Sequence, residues 1–157
     1  MVLQDILHHI HSLLYVQDAA RLACVSRVFL RSWRCYSNLI LDDDILGLTD
    51  NKLEDKEIKM INKVDKILEH HHDNVVKVKT LSLDLNRYKN INFSYLDRWL
   101  QISVKSGIEE LNLMLSPFMD ECYSFPCSVL SDMVAASSIQ SIFLMYCTFH
   151  STSALAA

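Results

Sequence analysis

Glycine is nearly missing: Gly47 and Gly107 are the two in 157 residues, where average usage of about 7% would supply roughly eleven. Loops that cradle phosphate need several glycines so that backbone amides can close around the anion. P-loop and dinucleotide-binding folds are therefore excluded. A basic excess is missing too, with 15 Lys and Arg against 19 Asp and Glu and a net charge of −4 when the histidines are neutral. Binding nucleic acid calls for a basic stripe that neutralises phosphates, so nucleic acid is not an expected partner. The five cysteines, Cys24, Cys35, Cys122, Cys127 and Cys147, are odd in number and show no C-x-x-C spacing. Neither a secreted disulfide framework nor a paired-cysteine zinc motif follows from them. Long apolar runs are lacking as well: His8, His9 and His11 interrupt the first, and Arg21 is the first basic residue. A signal peptide and a membrane span do not fit, and a reducing address in cytoplasm or nucleus is expected.

What remains is half hydrophobic and 22% charged, a globular composition with enough chain for one modest core. Leu3, Ile6, Leu7, Ile10, Leu13 and Leu14 recur at helical steps and share one face. Asp18 is placed to cap a second helix over Ala19 to Val25, and Ser26 a third in which Phe29, Leu30 and Trp33 share a side. Ser37 to Leu41 reads as a strand followed by a solvated turn, Asp42-Asp43-Asp44. Lys52 to Glu69 reads as a charged helix with Ile58, Ile61, Val64 and Leu68 on its stripe, with Asn51 and Glu54 at capping-box spacing. A further helix opens at Ser94, turns Leu96, Trp99 and Leu100 inward and ends before Gly107, which suits a left-handed C-cap.

Internal repetition is the most informative feature. Val78-x-x-Leu81-x-Leu83-x-x-Asn86, Ile108-x-x-Leu111-x-Leu113-x-x-Ser116 and Ile139-x-x-Ile142-x-Leu144-x-x-Cys147 follow one another at intervals of 30 and 31 residues. A weaker copy is Tyr36-x-x-Leu39-x-Leu41-x-x-Asp44. This is the frame of a leucine-rich repeat, with Asn86 and Cys147 in its N/C place, expected to hydrogen-bond the backbone of the bend. Alternating leucines point inward from short strands, and returning to pair in parallel requires a crossover of a dozen residues or more. The expected architecture is α/β: three N-terminal helices over residues 1–36, then a repeat solenoid over 37–157. Its strand cores fall near 39–41, 78–85, 108–115 and 139–146, with helices on the convex side. Thr80, Ser82, Asp84, Glu110, Asn112, Met114, Ser141, Phe143 and Met145 then project from the non-core, concave side, where a solenoid binds partners.

The segment Val2-Leu3-Gln4-Asp5-Ile6-Leu7-x-x-Ile10, with Asp18-Ala19-Ala20-Arg21 and Val25-Ser26-Arg27, resembles an F-box. Phe29 to Arg34, Tyr95 to Leu100, Gly107 to Leu111 and Tyr123 to Cys127 are similar to the plant F-box/leucine-rich-repeat proteins. The resemblance implies a substrate adaptor of a Skp–cullin–F-box ubiquitin ligase, with no chemistry and no cofactor of its own. In it Leu3, Ile6, Leu7, Ile10, Leu13, Leu14, Ala20 and Val25 would meet the Skp-type linker, and the repeats would hold a target protein. Leu3 stands where that family usually has proline, Phe29 replaces a frequent tryptophan, and Val28 a frequent basic residue. Relatives carry many more repeats, so the strand at 139–146 is expected to leave an open edge near Phe143, Met145 and Phe149, with the target-binding surface incomplete. Two other readings stay open: a short competitor that occupies the linker without a target, and a repeat scaffold that binds no linker.

Sharper chemistry finds little support in the residues. His70-His71-His72 cannot converge on one ion from a helix, where neighbours diverge by about 100°, and suits a helix C-terminus instead. His8 and His11 lack further ligands at metal spacing. Cys24 and Cys147 read as buried structural residues and Cys122 and Cys127 as exposed, with no base beside them. Trp33 and Trp99 read as core.

Overall fold

The computed structural model describes residues 2–33, 37–49, 52–73, 77–131 and 137–150. Helices α1 (Val2–Ser12), α2 (Val16–Val25) and α3 (Arg27–Trp33) come first, followed by strand β1 (Asn38–Leu41). Helix α4 (Leu53–Asp73) leads to β2 (Thr80–Asp84), and α5 (Phe93–Lys105) to β3 (Glu110–Met114). Past β3 lie β4 (Tyr123–Ser124), a 3-10 turn (Cys127–Leu130), β5 (Ser141–Met145) and β6 (Cys147–Thr148). Four strands form one parallel sheet in the order β1-β2-β3-β5, and β4 pairs with β6 in a second parallel ladder.

The repeat frame becomes register. Leu39, Leu81, Leu111 and Ile142 stand in one row, and Leu41, Leu83, Leu113 and Leu144 in the next. The six leucines of the first three strands are 1% exposed or less. Alternation of side chains across a strand explains this, since every second residue meets the convex-side helices. Ile142 and Leu144 on β5, the last strand of the row, stay half-buried. Each repeat also begins alike: Ser37 O accepts from the amides of Lys79 and Thr80, Lys79 O from Glu109 and Glu110, and Glu109 O from Gln140 and Ser141. One carbonyl thus receives two amides and sets the start of the next strand. At the bends the hydrogen bonding is local. Ser116 Oγ accepts from the Phe118 amide, and Cys147 Sγ donates to Met145 O at 3.5 Å. After β2 the bend is capped by Asp84, whose Oδ1 accepts the Asn86 amide, while the Asn86 residue itself is exposed.

The helices adjust the sequence reading in three places. Helix α2 begins at Val16, so Asp18 is not its cap but lies in its first turn, 3.3 Å from Arg21. An acid there still complements the helix dipole. Helix α5 begins at Phe93, capped by Asn92 Oδ1 accepting the Ser94 amide at 2.9 Å, so that its cap lies two residues ahead of the expected Ser94. On α4 the buried stripe is Met60, Val64, Leu68 and His71, while Ile58 is 59% exposed. Two apolar stripes overlap on that helix, and packing against α5 and Trp33 selects the second. Asn51, the proposed capping residue, lies outside the described residues.

Asp42-Asp43-Asp44 is also not simply a solvated turn. Asp42 Oδ1 accepts the Ile45 amide, and Asp43 reaches inward to Lys56 at 2.7 Å and to the Tyr88 hydroxyl. Segments distant in the chain supply those partners, so no local pattern could announce them. The three N-terminal helices join the repeats through Trp33, whose ring stacks on His70 at 6.4 Å and meets His71 edge-on at 6.2 Å. His71 is 1% exposed with Nδ1 2.7 Å from Ile67 O.

Gly107 closes α5 at φ +83°, and a Cβ there would meet Lys77 Cε at 3.4 Å. That neighbour is the flexible part of a side chain, so the cost of Gly107→Ala is mainly the left-handed backbone. Urea unfolding is expected to show a loss of about 1 kcal/mol with an unchanged m value.

Candidate functional site

Two surfaces carry the side chains singled out by the sequence. On α1 the residues Leu3, Ile6 and Ile10 are exposed, as is Leu13 just beyond its end. They recur at steps of three and four and so form one ridge. Val25 is exposed at the end of α2. Leu7 is half-buried, Leu14 packs against the core, and Ala20 lines an open groove with Trp33, Ile45 and Ile67, edged by Gln17, Lys63 and Lys66. The set therefore divides: Leu14 and Ala20 face the body of the protein, whereas the ridge faces out. Tyr15 and Val28 are also exposed and did not enter the sequence-based set, because both sit at helix boundaries where periodicity assigns no face. The side chains of His8 and His11 lie outside the described residues.

The second surface is the outward side of the sheet. Register places Asn38, Thr80, Glu110 and Ser141 in one row, and Ile40, Ser82, Asn112 and Phe143 in the next. A third row holds Asp84, Met114 and Met145. Polar groups occupy β2, while Phe143, 48% exposed, and Met145 lie on β5. Ile40, also exposed, belongs to this surface and was missed; the leucine alternation at 39 and 41 was the signal that would have found it. At the margin beyond the sheet stand exposed Phe118, Tyr146 and Phe149.

Buried polar groups serve the framework. Tyr88 has its phenol pushed well above the ordinary range by burial and then by its hydrogen bond to Asp43. Tyr123, donating to Asp97 Oδ1 at 2.7 Å, is shifted the same way, again chiefly by burial. Trp99 is fully buried and its Nε1–H donates to Asp65 at 2.6 Å, with Arg98 on the same carboxylate.

Two of the cysteines, Cys24 and Cys127, depart from expectation. Cys24 is exposed, because Ala19 and Ala23 take the inner face of α2 and the next residue turns away by about 100°. Cys127 is buried: the 3-10 turn after Pro126 carries it inward, where Sγ donates to His150 O at 2.8 Å. Cys147 is half-buried and Cys122 exposed. Among the described residues no three His, Cys, Asp or Glu side chains gather where a metal ion could sit. No helix among them is long and apolar enough to cross a membrane.

Parallel strands in step, leucines inside and convex-side crossovers define a leucine-rich-repeat protein. A family profile described as the At1g61320/AtMIF1 LRR domain matches residues 67–157, more than half of the chain, and the chain belongs to that family. The match begins within α4 and leaves the three N-terminal helices outside it. No curated protein and no solved structure matches the chain.

Proposed function

We propose that this protein is a substrate-recognition adaptor of a Skp–cullin–F-box ubiquitin ligase. The α1 ridge docks on a Skp-type linker, and the repeats hold a target. The observation that carries the reading is the ridge itself: Leu3, Ile6, Ile10 and Leu13 stay exposed in a unit that has its own packed interior around Ala19 and Ala23. A contiguous apolar ridge of this kind suits a protein partner. The resemblance of the first 36 residues to an F-box names the partner's kind. In this reading the chain does no chemistry; it raises the effective concentration of a target beside the ubiquitin-loaded enzyme.

Co-expression with a Skp-type linker protein tests it. Size-exclusion chromatography should give a one-to-one complex, and Ile6→Asp should weaken binding by about 100-fold, since the carboxylate must be desolvated against apolar surface. Circular dichroism of the variant should match the parent, because Ile6 is half exposed in the free chain. Folded parent protein that does not bind the linker would sink the adaptor reading. It would promote a second one, a repeat module that binds proteins without a ligase, which draws support from the family match lying entirely past residue 66.

A further inference from the structure

The four-stranded sheet ends at β5, and among the described residues no strand pairs with its outer side. In a parallel ladder the amide and carbonyl of one residue point to the same neighbouring strand, and those of the next residue point the other way. Ser141 donates its amide to Glu109 O, and Met145 O accepts from the Leu115 amide, so Ser141, Phe143 and Met145 are bound to β3. The backbone groups of Ile142 and Leu144 therefore face the open side. Such an edge is a template for another strand unless charge, proline or a bulge blunts it. Between Met133 and Phe149 the sequence has no Lys, Arg, Asp, Glu or Pro, and β5 runs in unbroken register with β3. The opposite end of the sheet differs, for α2 packs against β1 and three acids follow that strand.

We propose that the open edge of β5 pairs with β5 of a second copy of this chain, antiparallel and across a twofold axis at Phe143. The strand itself selects that occupant, because it fits its own reverse. Centred on Phe143, the pairing sets Ile142 opposite Leu144 of the second copy, and Leu144 opposite Ile142. Each of those pairs exchanges two hydrogen bonds through the groups that β3 leaves free. Phe143 falls between them at a non-hydrogen-bonded position, where opposed Cα atoms approach to about 4.5 Å. The two Phe143 side chains, each 48% exposed in the single chain, then meet on the outward face as a cross-strand aromatic pair. Ile142 and Leu144, half-buried where the inner strands bury their leucines, cover one another on the convex side. This centre alone pairs the whole of Ser141–Met145, and Tyr146, at φ 58°, turns the chain out of the strand beyond it. No charge meets its like across the axis. The two outward surfaces become one, with Phe143 and Met145 at its middle, whether or not α1 docks on a linker.

Sedimentation equilibrium of the full chain tests it. One strand pair is a small interface, so the mass should rise from 18.1 kDa to twice that value with a dissociation constant of about 10–100 µM. Phe143→Lys and Phe143→Glu should each weaken association roughly 100-fold, since only at the axis does a residue oppose itself. An equal mixture of the two variants should associate again. Ile6→Asp should leave the dimer intact, which separates β5 from the α1 ridge. Without any substitution, NMR amide exchange at Ile142 and Leu144 should slow as protein concentration rises, while Phe143 stays unchanged. A chain that remains monomeric at about ten times the expected constant, a dimer that survives Phe143→Lys, variants that fail to associate when mixed, or a dimer lost in Ile6→Asp would each overturn the proposal.

Discussion

Trp99→Ala is expected to cost about 3–5 kcal/mol, the range for deleting a fully buried aromatic side chain. Trp99 is 0% exposed and lies on the face of α5 that, with Leu96, Leu100 and Val104, covers the leucines of β2 and β3. Its removal opens a cavity between helix and sheet that the flanking Tyr95 ring, 6.0 Å away, cannot fill without leaving its own place. Asp65 loses the indole N–H at the same time, though Arg98 remains to it. Net stabilities of domains this size run about 5–15 kcal/mol, so the variant should be partly unfolded or close to it. Urea titration followed by circular dichroism reads the loss. Trp99→Phe separates the two contributions, keeping most of the volume and losing the hydrogen bond for about 1–2 kcal/mol. A Trp99→Ala protein within 1 kcal/mol of the parent would contradict the packing described for α5.

Asp43→Ala is expected to cost about 2–4 kcal/mol. The Asp43 and Lys56 side chains, 2.7 Å apart, are 11% and 13% exposed. The same carboxylate accepts from the Tyr88 hydroxyl and lies 3.7 Å from Arg87. One side chain thus ties the turn after β1 to α4 and to the loop after β2. Truncating one partner of a nearly buried pair leaves the other charge uncompensated, which accounts for most of the cost. Here some solvent still reaches both groups, which keeps the figure below that of a fully buried pair. The phenol supplies a second readout. Tyr88 in the folded chain titrates above its ordinary 10.0, by burial first and the Asp43 hydrogen bond second. Its stabilising contribution is therefore complete below the unfolded value and is lost as pH rises through the folded one. Spectrophotometric titration of Asp43→Ala should show that phenol ionising at lower pH than in the parent. An unchanged alkaline titration would mean that Asp43 does not hold Tyr88.

The repeats were legible because their signal is periodic and local. Leucine at every second position fixes which side of a strand faces in, and the constant interval puts the strands in step, as Leu81, Leu111 and Ile142 show. The α4 stripe was less legible, because Ile58 and Met60 both begin acceptable apolar rows and only the neighbouring elements choose between them. The ladder of β4 and β6 left no sequence signal, since two-residue strands carry no period. Cysteine exposure failed for a related reason: Cys24 and Cys127 each sit one residue away from the opposite environment.

The residues by themselves determined the parallel leucine-rich sheet, its inner leucines, the convex-side helices and the apolar repeat along α1. Each follows from spacing within a window of a few turns. Only the tertiary structure decided which of those apolar residues stay uncovered, so that Leu13 is exposed while Leu14 packs inward. It alone drew Asp43 out of a run of three acids to meet a tyrosine 45 residues away. Burial and charge pairing depend on which distant segments meet, and that meeting exists only once the chain has folded.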